Sequence, residues 1–127
     1  MSNCTMLAGH VQVEDQAVMS VSAVHQFCRV GRLSMIGGCS KVTQDVAPYM
    51  IVDGNPGETR TINKVGLERH GISEEAQAAL KQSYKILFRS GLSIPNATQR
   101  IEEEVPLLPE IKHLLGFVRS SERGITK

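Results

Sequence analysis

A short parallel β-helix followed by a small helical domain is the fold class this sequence predicts. Three observations predict it. Aliphatic residues recur at every sixth position through the first third of the chain. A stretch bearing two Gly and one Pro, Tyr49 to Gly57, then ends that pattern. Beyond it, the apolar spacing takes on the period of an α-helix. The expected division is residues 1–53 for the repeat and 54–127 for the helical domain.

The repeat comes first. Leu7, Val13 and Met19 stand six apart, and the series resumes as Val24, Val30, Ile36 and Val42. Four positions after each comes a small or β-branched residue: Val11, Ala17, Ala23, Cys28, Ser34, Ser40 and Val46. One unit, Met19-Ser20-Val21-Ser22-Ala23, is a residue short. In such a repeat each hexad forms one short strand and one corner of a triangular coil. The aliphatic residue stacks on its equivalents in neighbouring coils, and the small residue fits the corner. Gly31-Arg32 and Gly37-Gly38 supply turning positions. A β-meander would alternate with period two and gives no reason for a period of six. The period alone leaves handedness open, and parallel crossovers are normally right-handed. Residues 7 to 48 make only about two and a half coils, below the ~3 repeats a solenoid generally needs. The chain is therefore expected to depend on association between copies or to be marginally stable.

Helical signals begin at Ser73. Ser73 is a good N-cap, and Glu74 and Glu75 suit the positive end of the dipole. Ala76, Ala79, Leu80, Tyr84 and Leu87 share one face, with Lys85 and Arg89 near the end and Gly91 as the stop. This predicts a helix over 74–90. A shorter helix is predicted from Thr98 to Val105, stopped by Pro106. A third starts at Pro109 and turns Ile111, Leu114, Leu115 and Val118 inward. The polar tail from Ser120 to Lys127 is expected to fray. The helices are expected to pack as an up-down bundle on the end of the β-helix.

Composition narrows the function classes. The chain has 127 residues, 14 basic and 13 acidic, for a net charge of +1. That balance gives no reason to expect nucleic acid or an anionic membrane as partner. With two Tyr, three Phe and no Trp, base-stacking platforms are not expected. Cys4, Cys28 and Cys39 are odd in number and form no CxxC pair. Buried, reduced thiols are expected rather than a disulfide framework or a zinc site. No apolar run reaches the ~18 residues of a membrane span, and the first residues do not read as a signal peptide. A soluble, cytoplasmic protein is expected.

Specific strings narrow it further. Leu7-Ala8-Gly9-His10, Ala23-Val24-His25-Gln26-Phe27-Cys28 and Gly37-Gly38-Cys39-Ser40 occur in order. Gln44-Asp45-Val46, Gly54-Asn55, Gly66-Leu67, Tyr84-Lys85, Arg89-Ser90-Gly91 and Arg123-Gly124 follow. This set resembles the UDP-N-acetylglucosamine O-acyltransferase family of lipid A biosynthesis, in its C-terminal portion, from about residue 3 onward. The resemblance implies a left-handed parallel β-helix capped by a helical domain. It implies a homotrimer with active sites between adjacent β-helices. The implied reaction moves a 3-hydroxyacyl chain from acyl carrier protein to the 3-hydroxyl of UDP-N-acetylglucosamine, with no metal, no cofactor and no covalent acyl-enzyme.

Direct acyl transfer needs a base for the sugar hydroxyl and donors for the developing oxyanion. By resemblance, the base is a His on the coil before the Leu-Ala-Gly-His string, upstream of residue 1. His10 matches a second histidine near the sugar, and the Gly9 amide matches the oxyanion donor. His25 and Gln26 match a substrate-contacting pair. Asn63 and Arg69 match residues that hold the nucleotide-sugar, including its phosphates, and an Arg fork suits phosphate. His70 replaces a second Arg, and Val65 replaces a Glu. A neutral His contributes less at a phosphate. Gly38 matches a position that limits acyl length, and Gly leaves that groove open. Each has a plainer alternative: a coil-surface histidine for His10, a solvated charge for Arg69, a turn glycine for Gly38. Arg29 and Arg32 are expected on a solvated surface, with an acidic carrier protein as the alternative reading.

Besides the enzyme, the sequence admits a non-catalytic trimerisation or ligand-binding fragment, which acyl-transfer activity distinguishes. Another hexapeptide transferase is a third class. The His-Gln-Phe-Cys string and the helical end argue against it.

Overall fold

The computed structural model describes residues 6–7, 12–14, 18–19, 22–24, 29–37, 40–42, 44–54, 56–121 and 124–127. Short strands wind into three faces. β1 (Met6–Leu7), β4 (Ser22–Val24) and β7 (Ser40–Val42) form the first face. β2 (Gln12–Val13) and β5 (Arg29–Val30) form the second. β3 (Val18–Met19), β6 (Met35–Ile36) and β8 (Met50–Asp53) form the third. All these pairings are parallel.

The sixth-position residues are the ones in register. Leu7 lies opposite Val24 and Val24 opposite Val42. Val13 lies opposite Val30, Met19 opposite Ile36, and Ile36 opposite Val52. Val30 also bridges Val46. Val30, Ile36, Val42, Val46 and Val52 are buried, as an inner column of aliphatic side chains requires.

The register also measures coil length. Leu7–Val24, Val13–Val30 and Met19–Ile36 each join residues 17 apart, matching the short unit read before Val24. Val24–Val42 spans a full 18. Val30–Val46 and Ile36–Val52 span only 16, so a second shortening lies between Val42 and Val46. Nothing in the hexad pattern announced it. The tightened corner presses Pro48 against Gly31, where a Cβ would lie 2.4 Å from the Pro48 nitrogen. Only glycine fits there.

Each face ends within the described residues. On the third face, β9 (Glu58–Ile62) pairs antiparallel with β8, with a register shift at Ile51/Val52. On the first, the Lys41 amide donates to the Gly54 carbonyl (3.0 Å) and accepts, through its own carbonyl, the Gly57 amide (2.7 Å). On the second, the C-terminal tail takes the place of a strand. The Asp45 amide donates to Gly124 (3.0 Å), and the Thr126 amide donates to Asp45 (2.8 Å). This corrects the expected fraying: Ile125 and Thr126 are buried. The Thr126 hydroxyl donates to the Gln44 carbonyl, and its carbonyl accepts from the Thr59 hydroxyl. An open strand edge at Asp45 must find partners, and the tail supplies them.

The helical part contains α1 (Lys64–Arg69), α2 (Glu74–Phe88), α3 (Ile94–Glu104) and α4 (Pro109–Arg119). α2 starts as predicted, with Ser73 Oγ accepting from the Ala76 amide (3.1 Å), and ends two residues early at Phe88. α3 begins four residues before the predicted Thr98. Ser93 caps it, and Pro95 in its first turn costs no backbone hydrogen bond. α4 buries Ile111, Leu114, Leu115, Phe117 and Val118. One apolar cluster joins Leu33, Tyr49 and Met50 of the coil to Leu80, Ile101 and Leu114 of the helices. The helices thus sit on the end of the β-helix. Among the described residues, no helix is long and apolar enough to cross a membrane.

Candidate functional site

The site is assembled where the last coil turns into α1. Two non-glycine residues there have left-handed backbone: Leu33 (φ 53°) and Tyr49 (φ 68°). Such residues are rare and are held only where their surroundings over-determine them. Both direct their carbonyls to one residue. The Leu33 carbonyl accepts from Asn63 Nδ2 (2.9 Å), and the Tyr49 carbonyl accepts from the Asn63 amide (2.7 Å).

Asn63 is the N-cap of α1. Its Oδ1 accepts from the Gly66 amide (3.2 Å), and its carbonyl accepts the Leu67 amide (2.9 Å). Its side chain is 5% exposed. One Nδ2 hydrogen and one Oδ1 lone pair remain beyond these bonds. Gly66 makes the arrangement possible, since a Cβ there would lie 2.4 Å from Asn63 Nδ2. Leu67 is fully buried and fastens the short helix to the core.

α1 ends in a two-bond cap. The Ile72 amide donates to Leu67 (3.0 Å) and the Gly71 amide to Glu68 (3.2 Å), with Gly71 at φ 70°. This end presents Arg69 and His70 to solvent. Among the described residues no carboxylate pairs with Arg69, so its guanidinium is open to an anionic ligand. His70 Nδ1 lies 2.9 Å from the Gly66 carbonyl. A carbonyl only accepts, so Nδ1 carries the hydrogen, and in the neutral ring Nε2 is left as an acceptor. Neutral His70 therefore offers nothing to a phosphate, while its protonated form offers Nε2–H. Val65, on the same helix, is 60% exposed.

Tyr49 anchors the corner from beneath. Burial pushes its phenol above the usual range, with nearby Arg32 opposing. Its ring meets the His113 ring edge-on at 5.9 Å. Glu14 joins the coil to α4 there, accepting from His113 Nε2 (3.0 Å) and from the Arg32 amide (2.8 Å). Leu33 and Tyr49 gave no signal in sequence, because left-handed backbone at a Leu or Tyr has none.

The other predicted site residues, Gly9, His10, His25, Gln26 and Gly38, lie outside the described residues. The strands that immediately precede the first four, β1 and β4, are adjacent rungs of one face. Arg29 departs from its expected place on a solvated surface. Its Nε is 3.5 Å from Asp45 Oδ2, its Nη2 donates to the Phe117 carbonyl (2.8 Å), and its guanidinium lies over the Phe117 ring. Asp45, 2% exposed, draws it inward and also accepts from the Arg29 amide (2.7 Å) and the Ser121 hydroxyl (2.7 Å). Arg32 is exposed as expected.

Comparison with known proteins gives the family. The sequence profile of the family described as UDP-N-acetylglucosamine O-acyltransferase, domain 2, matches residues 45–126. The acyl-[acyl-carrier-protein]–UDP-N-acetylglucosamine O-acyltransferase of Anaeromyxobacter sp. (strain K) is 45% identical over 127 residues, 99% of this chain and 49% of that protein. The crystal structure of a UDP-N-acetylglucosamine acyltransferase from Bacteroides fragilis superimposes with a TM-score of 0.90 at 39% identity, covering 92% of this chain and 46% of that one. An Arabidopsis UDP-N-acetylglucosamine acyltransferase gives 0.85 at 36%, covering 93% and 45%. The chain spans about half the length of the curated relatives it matches.

Proposed function

The chain belongs to the UDP-N-acetylglucosamine O-acyltransferase family, and from that premise we propose that it forms the C-terminal half of an enzyme making a lipid A precursor. The reaction moves a 3-hydroxyacyl chain from acyl carrier protein to the 3-hydroxyl of UDP-N-acetylglucosamine. The supporting observation is that coil and helical end together superimpose on a solved UDP-N-acetylglucosamine acyltransferase with a TM-score of 0.90 over 92% of this chain. The fold, with the left-handed coil of those relatives, supplies the frame.

In this reading the sugar 3-hydroxyl attacks the thioester carbonyl. A base takes the hydroxyl proton, the carbonyl oxygen becomes an oxyanion, and the carrier's thiolate leaves as the new ester forms. The Gly9 amide stabilises the oxyanion, and His10, His25 and Gln26 orient the sugar and acyl groups. Gly38 leaves the acyl groove open to a long chain. Asn63 positions α1 and reaches the ligand through its free hydrogen and lone pair. Arg69 takes the diphosphate through its planar fork. His70, in place of an Arg, weakens that contact. No residue of this chain is assigned the base. The working assembly is a cytoplasmic homotrimer built on residues 1–53, with 54–127 as its helical end.

Isothermal titration with UDP-N-acetylglucosamine tests the reading. Binding is expected, and Arg69→Ala should weaken it at least ~10-fold, the loss of one charge-assisted phosphate contact. Binding unchanged by Arg69→Ala would overturn the assignment. Incubation with 3-hydroxyacyl carrier protein should yield no acylated sugar nucleotide from this chain alone. Turnover would show that the base lies within it.

A further inference from the structure

The Asn63 corner is tied to α4 by an unbroken run of hydrogen bonds. The run starts at His113, on α4. Its Nε2 lies 3.0 Å from Glu14 Oε1, across 99 positions of sequence. A carboxylate only accepts, so Nε2 carries the hydrogen. The same Glu14 oxygen accepts from the Arg32 amide (2.8 Å). The Arg32 carbonyl accepts from the Tyr49 amide (2.8 Å), and the Tyr49 carbonyl accepts from the Asn63 amide (2.7 Å).

The position of Arg32 gives this run its use. Arg32 and Leu33 are the central residues of a turn that closes when the Ser34 amide and hydroxyl donate to the Gly31 carbonyl (3.2 and 2.6 Å). Leu33 is left-handed and offers its carbonyl to Asn63 Nδ2. Glu14 thus grips the turn one residue before one of the two carbonyls that seat Asn63. Through Arg32 it also reaches the other. Glu14 itself is fixed to the next rung, its amide donating to the Val30 carbonyl (2.9 Å).

The contact is not needed to hold α4 in place. Ile111 and Leu114 are fully buried, and the Phe117 carbonyl accepts from Arg29 Nη2 (2.8 Å). What the Glu14–His113 bond adds is control of the turn. Coupling carried through contiguous hydrogen bonds needs only such a chain of groups, each with a fixed partner.

We propose that Glu14 and His113 are positioning residues for the nucleotide-sugar corner, fixing the Gly31–Ser34 turn and, through it, the two carbonyls that seat Asn63. The inference rests on the nucleotide-sugar reading above and deepens it.

Amide hydrogen exchange by NMR on the labelled chain tests the relay. His113→Leu should speed exchange at the Asn63 and Gly66 amides at least ~10-fold relative to the Leu80 amide in the core of α2. Glu14→Ala should do the same, and the double variant should do no more than either single one. His113→Gln keeps an N–H donor at the place of Nε2 and should restore slow exchange. Equal acceleration at Leu80 would mean general loss of stability and would overturn the relay, as would unchanged exchange at Asn63 and Gly66.

Isothermal titration with UDP-N-acetylglucosamine tests the consequence. His113→Leu should weaken binding several-fold and His113→Gln should not. Ile125→Ala, which lowers stability by hollowing the buried tail, should leave affinity unchanged. Binding that His113→Leu leaves intact overturns the positioning role while the acyltransferase reading stands. Absence of binding by the unsubstituted chain overturns both.

Discussion

Replacing Gly66 by Ala should destabilise the chain, although Gly→Ala inside an exposed helix ordinarily stabilises by about 1 kcal/mol. The reversal comes from Asn63. A Cβ at 66 would stand 2.4 Å from Asn63 Nδ2, and the amide must move. Moving it breaks the bond to Leu33 and the bond from the Gly66 amide. Each is worth about 1 kcal/mol, and a buried group left without a partner adds roughly 1–3. Set against the helix gain, the net loss is about 2 kcal/mol. In an Asn63→Ala background the obstacle is gone, and Gly66→Ala should stabilise by about 1 kcal/mol. The expected coupling is therefore about 3 kcal/mol, read from urea unfolding followed by far-UV circular dichroism on the two single variants and the double. Additive effects, or a stabilising Gly66→Ala in the native background, would refute the idea that glycine is there to admit the Asn63 amide.

Three further outcomes follow from the same contacts. Ile125→Ala, by hollowing the buried end of the tail, should cost about 3 kcal/mol in urea unfolding, which a frayed tail would not. Asp45→Ala should cost about 3 kcal/mol, because Arg29 loses its buried partner, and the double variant Arg29→Met with Asp45→Ala should recover part of it. Tyr49 gives a pH signature. Burial raises its folded-state pKa above 10.0, so the folded chain holds that proton where the unfolded chain has released it. Stability should fall as pH rises from about 10 toward the folded pKa, and Tyr49→Phe should remove that slope from alkaline melts.

The parts legible in sequence are those that repeat locally. The column through Val30, Ile36 and Val42 was readable because stacking imposes one residue type at one interval. α2 was readable because a cap, an amphipathic face and a glycine stop agree. α1 was missed: six residues are too few to show a period, and its stop is a backbone cap at Gly71. β9 was missed because the register shift at Ile51/Val52 breaks its alternation. The tail was misread because nothing near Ile125 shows that the amide and carbonyl of Asp45 need partners 80 residues away in the chain. The same divide runs through the site. Asn63 and Arg69 were named by resemblance, but the corner that fixes Asn63 depends on the backbone of Leu33 and Tyr49, which no residue identity announces.

The closing of all three faces at one end has a consequence for how copies of this molecule meet. A stack of parallel rungs is an open template, and a second molecule could in principle extend it indefinitely into a fibre. Here the reversed direction of β9, the Gly54–Gly57 loop and the tail at Ile125 occupy the positions the next rung would need. Copies can therefore associate side by side without polymerising through this terminus.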